Sequence, residues 1–175
     1  RTSIAREGEK ILSRGEGEVL EIAENGEFSF AEVDELGQVR KDDTYIQKHI
    51  DAILALPLVD VEAIKKANFK VAIDCVNSTG GIFLPPLLKA LGVETVYELY
   101  CEPNGQFPHN PEPLPENLTE IAKVVQQKKA DLGIVVDPDV DRLALVNEDG
   151  SMFGEEYTLV AVADYVLNNT PGNTV

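Results

Sequence analysis

Three carboxylates and one arginine stand close together in a short segment of this 175-residue chain. The segment follows the apolar run 133–136, and its charged residues are Asp137, Asp139, Asp141 and Arg142. We call residues 137–142 the acidic loop. Carboxylates this close repel one another unless a hard cation such as Mg²⁺ binds their oxygens. The loop therefore predicts a divalent-metal site, with the guanidinium of Arg142 suited to hold a phosphate beside the metal.

Other interpretations of the acidic loop give the carboxylates different roles. Asp and Pro also form ordinary turns. In an EF-hand, the acids would be the first, third and fifth ligands and Glu148 the twelfth, but the sixth position needs Gly and is Arg142. In an Asp-x-Asp phosphatase of the haloacid-dehalogenase type, the first Asp is the nucleophile, and Asp141 stands where Thr or Val is normal. A cation-binding module without chemistry is the remaining alternative.

The residues around the acidic loop alternate between strand and helix patterns. Strands are predicted at 69–75, 95–100 and 132–136, and helices at 81–91 and 116–129. This βαβαβ order predicts a parallel sheet with helices on both faces. Asp149-Gly150 predicts a hairpin between short antiparallel strands at 143–147 and 151–153. The predicted fold class is therefore α/β, a three-layer α/β/α domain with a mixed, mainly parallel sheet and the acidic loop at its ligand-binding edge.

Four further helices are predicted from apolar spacing and capping residues. Two cover residues 16–24 and 44–56, a short one runs from an N-cap at Asp60 through Lys66, and the last begins near Glu155. The apolar stripe of the last helix comprises Leu159, Val162, Ala163 and Val166. Repeated glycines interrupt the first 40 residues, which predicts a connecting segment.

The turn between the first predicted strand and its helix reads Asn77-Ser78-Thr79-Gly80-Gly81. It could bind a phosphate on backbone N–H groups at the helix N-terminus. It lacks the Lys of a Walker loop and the spacing of a dinucleotide fingerprint, which favours a tight turn with Ser78 or Thr79 as cap. His49 is predicted to serve packing or the surface, and His109, in a Pro-rich segment, a structural role.

Composition and charge exclude several classes of protein. With 43% apolar residues the chain can form one core, while its apolar stretches are too short to span a membrane and no signal-peptide pattern opens it. Cys75 and Cys101 are too few for a disulfide framework, so we expect a buried, reduced Cys75 and a cytoplasmic protein. The net charge of −16 argues against nucleic acid or an anionic membrane as partner.

The sequence of the acidic loop, Asp-Pro-Asp-Val-Asp-Arg, resembles that of the α-D-phosphohexomutases, the family of phosphoglucomutase, phosphomannomutase and phosphoglucosamine mutase. Three other segments resemble the same family. Residues 71–81 look like the strand and Gly-rich turn that open its second domain, and 104–113 like its Phe-Pro-x-His-x-Pro segment. The third, made up of residues 147–150 and 154–156, follows the loop at the family's usual distance. The resemblance covers roughly residues 69–167.

This resemblance implies a division of the chain and a function for the acidic loop. Residues 61–175 would be the family's second domain, and 1–60 a partly helical leader from the end of the first domain; Arg1 in place of a start methionine agrees with an excised piece. The three aspartates would bind Mg²⁺, and Arg142 would assist phosphoryl transfer between a serine and a hexose phosphate.

The same resemblance implies that the nucleophile lies elsewhere. The family's serine loop reads Ser-His-Asn-Pro and precedes the second domain, whereas Pro108 precedes His109-Asn110-Pro111 here. The expected partners are a hexose phosphate and the other domains of a longer polypeptide, so the chain alone should be inactive. Whether the sugar is mannose, glucose or glucosamine stays open.

Overall fold

The computed structural model describes residues 13–170 and 172, and the chain divides at Asp42 into two units. The described residues of the first unit form helix α1 (Ser13–Asn25) and a 3-10 turn (Val33–Glu35). Helix α1 confirms the helix predicted at 16–24. The assignment of residues 1–60 to the end of a preceding domain stays a prediction.

The second unit is built around a four-stranded sheet. Its strands are β1 (Lys70–Asp74), β2 (Thr95–Leu99), β3 (Leu132–Val136) and β4 (Leu143–Asn147). Its helices are α2 (Tyr45–Leu54), α3 (Val61–Ala67), α4 (Gly80–Ala90), α5 (Thr119–Lys128) and α6 (Glu155–Asn169). Within residues 13–170, none of the helices is long and apolar enough to cross a membrane.

The strand order β2-β1-β3-β4 places β1 between two parallel neighbours. Strand β1 pairs in parallel with β2 and with β3, and β3 pairs antiparallel with β4. The predicted α/β fold with a mixed, mainly parallel sheet is therefore confirmed. Because the carboxyl ends of β2, β1 and β3 lie at one edge, the three loops that follow these strands are neighbours.

Two apolar clusters cover the two faces of the sheet. Alternate side chains of a strand point to opposite faces, so Val71 and Ile73 of β1 pack with Leu88 of α4, while Ala72 packs with Ile121 of α5. Helices α4 and α5 thus lie on opposite faces, which confirms the three layers. His49 of α2 packs its ring against Phe83 of α4, with ring centroids 4.9 Å apart.

The cysteines belong to the first of these clusters. Both are free thiols, and Cys75 is fully buried as predicted. A hydrogen bond with Cys101 and burial both raise the pKa of Cys75, because each stabilises the neutral thiol. Cys75 is therefore a packing residue.

The helix starts agree with the predicted signals to different degrees. Asp60 caps α3 as predicted, because its carboxylate accepts the backbone N–H of Ala63 at 2.9 Å. Helix α5 starts at Thr119, later than predicted, since a 3-10 turn occupies Pro115–Asn117. Proline favours the first position of such a turn, where its missing N–H costs nothing.

Two details of the carboxyl-terminal part of the chain differ from the prediction. The strand at 151–153 is reduced to an isolated bridge between Val146 and Met152, because Gly154, with φ +99°, turns the chain into α6. In α6, Leu159 and Val162 are exposed by 68% and 56%. The other two residues of the predicted stripe, Ala163 and Val166, are half-buried, so the stripe marks the inward face of α6 only in part.

We expect the substitution Gly81→Ala to destabilise the second unit by roughly 2 kcal/mol or more. A Cβ at this position would overlap the backbone carbonyl of Cys101, which cannot move without disturbing the end of β2. Urea unfolding measures the effect. The control is Gly17→Ala in α1, where the added methyl group meets no described atom within 4 Å and should stabilise the helix by about 0.5–1 kcal/mol. Equal stability of Gly81→Ala and the parent would contradict the predicted overlap.

Candidate metal centre

The acidic loop begins directly after β3, at the carboxyl edge of the sheet. The structure brings its three predicted acids together, with one carboxylate oxygen from each lying within 4.8 Å of the others: Asp137, Asp139 and Asp141. Asp137 is buried, while the other two carboxylates are exposed. The cluster is therefore anchored at one end in the domain and open to solvent at the other.

Hydrogen bonds within the acidic loop fold it back onto Asp137. The Oδ1 atom of Asp137 accepts the backbone N–H groups of Asp141 and Arg142, each at 3.1 Å. Its backbone carbonyl accepts the N–H of Val140 at 3.2 Å. A carboxylate oxygen has two lone-pair sites, and both sites of Oδ1 are used by the loop. The second oxygen, Oδ2, is therefore the one suited to a cation.

The electrostatics of the acidic loop favour a bound cation. Burial raises the pKa of Asp137, and the neighbouring carboxylates of Asp139 and Asp141 act in the same direction, whereas the N–H of Arg142 opposes them. A divalent cation would remove this penalty by stabilising the ionised forms. Three carboxylates on a folded loop are the donor set that hard cations such as Mg²⁺ and Ca²⁺ take, so the residues fit a metal of this kind.

The turn after β1 contacts the acidic loop through two hydroxyl groups. Ser78 Oγ and Thr79 Oγ1 donate to the backbone carbonyl of Pro138 at 2.8 and 2.7 Å. Thr79 occupies the N-cap position of α4 as predicted, but it makes no side-chain capping hydrogen bond, because its hydroxyl bonds Pro138 instead. Sequence reasoning missed this contact because the partner lies about 60 residues further along the chain.

Arg142 is paired with an acid that the sequence did not single out. Its Nη1 atom donates to Glu112, and its Nε atom lies 4.0 Å from Asp141. The side chain is 52% exposed and borders a cavity of about 420 Å³ that Glu112, Asp141 and Met152 also line. Arg142 is the only Lys or Arg after Lys129, which is the signal that could have pointed to an acidic partner.

Residues 47–150 match the family described as phosphoglucomutase/phosphomannomutase, alpha/beta/alpha domain II. This range contains the whole sheet and the acidic loop, and more than half of the chain. The chain belongs to the α-D-phosphohexomutase family. The family resemblance stated from the motifs is thereby confirmed.

Individual phosphohexomutases are similar over nearly the whole chain. A phosphoglucomutase/phosphomannomutase of Thermococcus kodakarensis is 39% identical over 94% of the chain, and a phosphoglucomutase of Neisseria meningitidis 34% over 96%. A solved phosphoglucomutase/phosphomannomutase family structure from Burkholderia thailandensis matches 93% of the chain with a TM-score of 0.75 and 27% identity. The chain spans about a third of the length of each of these proteins, 36%, 35% and 33% respectively.

A second buried acid of this phosphohexomutase domain ends β1, the strand that pairs with β3. Asp74, the last residue of β1, is 1% exposed and accepts the backbone N–H of Val76 at 3.0 Å. Its other oxygen lies 3.0 Å from Nε2 of His109. His109 thus covers the buried acid, which agrees with the structural role predicted for it.

Both ring nitrogens of His109 have a hydrogen-bond partner. Nδ1 lies 2.8 Å from the carbonyl of Asn110, which can only accept, so Nδ1 carries a hydrogen. Nε2 then either donates to an ionised Asp74 or accepts from a protonated one. In both cases one hydrogen lies between Nε2 and Asp74 Oδ2, in addition to the hydrogen on Nδ1. Tyr100 packs edge-on against the imidazole and donates to Glu120, and this hydrogen bond raises the pKa of Tyr100 to about 12.

We expect Asp74→Asn to change how stability depends on pH. Burial raises the pKa of Asp74 above its ordinary value of 3.8, although the Val76 N–H and His109 oppose the shift. The folded state therefore holds this proton more tightly than the unfolded state, and its contribution to the free energy of unfolding falls as pH rises from 3.8 through the raised pKa. The variant lacks this contribution, so its free energy of unfolding should fall less steeply, or rise more, over the same interval.

Urea unfolding at several pH values between about 4 and 7 measures this difference. The matched control is Asp164→Asn, because Asp164 is an exposed residue of α6. The control should follow the parent. A pH dependence of Asp74→Asn that is identical to that of the parent would show that Asp74 is not the group responsible.

Proposed function

We propose that this domain supplies the Mg²⁺ site of an enzyme that interconverts hexose 1-phosphate and hexose 6-phosphate. The observation that carries the proposal is the convergence of three carboxylates within 4.8 Å at the carboxyl end of β3, in a chain that belongs to the α-D-phosphohexomutase family. The names of the relatives, phosphoglucomutase and phosphomannomutase, agree with this substrate class.

The three aspartates of the acidic loop share one role in this proposal, and Arg142 has another. Asp137 Oδ2 and the carboxylates of Asp139 and Asp141 hold the cation. When bound, Mg²⁺ supplies Lewis-acid stabilisation of charge on a phosphoryl group. Arg142 would exchange its contact with Glu112 for a phosphate oxygen, since the half-exposed guanidinium borders an open cavity. The phosphoserine implied by the family resemblance would come from a part of the polypeptide beyond these 175 residues.

The overall charge of the chain supports a division of work between domains. A net charge of −16 repels a hexose phosphate, so cations in addition to Arg142 and Mg²⁺ must come from the rest of the polypeptide. The same charge disfavours nucleic acid as a partner. A cytoplasmic location and phosphorylation of the serine are part of the proposal.

We expect Asp139→Asn in the complete polypeptide to lower turnover by roughly 100-fold or more, because one metal ligand is weakened. The melting temperature without metal should not fall, since the substitution removes one of three crowded negative charges. The assay follows conversion of mannose 1-phosphate and glucose 1-phosphate with Mg²⁺, and then of a glucosamine phosphate. Calorimetry with Mg²⁺ measures the affinity directly.

The matched control for this experiment is again Asp164→Asn, which removes an exposed carboxylate far along the chain from the acidic loop. It should retain turnover and metal affinity. Full activity of Asp139→Asn would contradict the metal-binding role. Hydrolysis of the phosphate esters without isomerisation would instead favour an Asp-x-Asp phosphatase.

Arg142→Lys should separate phosphate stabilisation from metal binding. Lysine keeps the positive charge but loses the planar fork that matches phosphate oxygens, so we expect turnover to fall by about tenfold or more while Mg²⁺ affinity stays close to that of the parent. Turnover and calorimetric affinity are the two measurements. An equal loss in both would indicate that Arg142 acts through the shape of the acidic loop.

A further inference from the structure

The backbone carbonyl of Pro138 accepts two hydroxyl hydrogen bonds from one turn. The donors are Ser78 and Thr79, at 2.8 and 2.7 Å, and we call these two side chains the hydroxyl clamp. A carbonyl oxygen has two lone pairs, so the clamp fills the hydrogen-bonding capacity of this atom. Pro138 stands between Asp137 and Asp139, and the clamp therefore holds the backbone between two of the three acids.

The turn that carries the hydroxyl clamp is fixed on its other side. The backbone N–H of Asn77 donates to the carbonyl of Tyr100 at 2.6 Å, and its side-chain amide donates to the carbonyl of Gln106 at 3.0 Å. A Cβ on Gly80 would overlap the side chain of Val136, so the start of α4 lies against the end of β3. The clamp is thus built on a rigid support rather than on a free loop.

The acidic loop has a conformation that requires such support. Val140 adopts φ +60°, a left-handed conformation that is unfavourable for a β-branched residue. The hydrogen bonds from Val140, Asp141 and Arg142 to Asp137 are internal to the loop. The clamp differs from them because it joins the loop to a neighbouring strand end.

We propose that Ser78 and Thr79 are positioning residues for the metal site. Their hydroxyl groups hold Pro138 so that Asp137 and Asp139 face the same cation. This inference rests on the proposed function. The clamp makes no contact with substrate in the proposal, and it acts through the geometry of the acidic loop. Loss of the clamp should therefore weaken metal binding at an unchanged set of carboxylates.

The test measures Mn²⁺ affinity of the complete polypeptide by electron paramagnetic resonance, with Mn²⁺ as the probe in place of Mg²⁺. The variants are Ser78→Ala, Thr79→Val and the double substitution. One net hydrogen bond corresponds to about a fivefold change in an equilibrium constant, so we expect each single variant to bind roughly fivefold more weakly and the double variant more weakly still. Thr79→Ser keeps the hydroxyl and should bind close to the parent.

Two controls separate the positioning role from a general loss of structure. Ser151→Ala removes a hydroxyl that bonds Asp149 within the hairpin after β4, and it should leave Mn²⁺ affinity unchanged. Thermal unfolding without metal gives the stability of every variant. Thr79 is exposed, so Thr79→Val is the variant that keeps the test valid if Ser78→Ala does not fold.

The outcomes distinguish this inference from the proposed function. If the parent and Asp139→Asn bind Mn²⁺ equally, the acidic loop is no metal site and both proposals fail. If Asp139→Asn loses affinity while Thr79→Val and the double variant bind like the parent, the positioning role alone is overturned. The positioning role is also overturned if Ser151→Ala weakens Mn²⁺ binding as much as the clamp variants do. The same holds if Thr79→Ser, which keeps the hydroxyl, binds Mn²⁺ as weakly as Thr79→Val.

Discussion

The pairing of β1 with β3 is the interaction on which the candidate metal centre depends. The register sets Asp74 beside Val135, so the turn after β1 and the acidic loop after β3 leave the sheet as neighbours. Gly80 lets α4 begin in contact with the end of β3. Without this close approach the hydroxyls of Ser78 and Thr79 could not reach Pro138. The site is therefore a product of strand order, which places residues from distant parts of the chain at one edge.

Two carboxylates at this edge of the sheet are buried away from water. Asp74 and Asp137 are the two buried charged residues in the described part of the chain, and both stand at or directly after the carboxyl end of a central strand. Burial raises the pKa of each. Asp74 is hydrogen-bonded to His109, whereas the side chain of Asp137 accepts two backbone N–H groups and lies near two more acids. This difference is why Asp137 is suited to a cation and Asp74 is satisfied within the protein.

Sequence reasoning identified the features that are local along the chain. Three features were predictable: the strand β3, the capping of α3 by Asp60 and the three acids of the loop. Each depends on a pattern of residues that are close together in the sequence. The contacts that were missed join residues 30 to 60 positions apart: Glu112 with Arg142, His109 with Asp74, and the clamp with Pro138. No spacing rule encodes such pairs, because tertiary packing creates them.

This division between local and distant information also explains how the acidic loop keeps its conformation. A loop of three acids with Val140 in the left-handed region is unfavourable on two counts, charge repulsion and backbone strain. Its internal hydrogen bonds all converge on Asp137, so on their own they fix the loop's shape but not its orientation on the sheet. The orientation requires a contact from outside the loop, and the two hydroxyl bonds to Pro138 provide one. The residues that would bind a metal are therefore close together in the sequence. The residues that orient them, Ser78 and Thr79, lie in the turn after another strand.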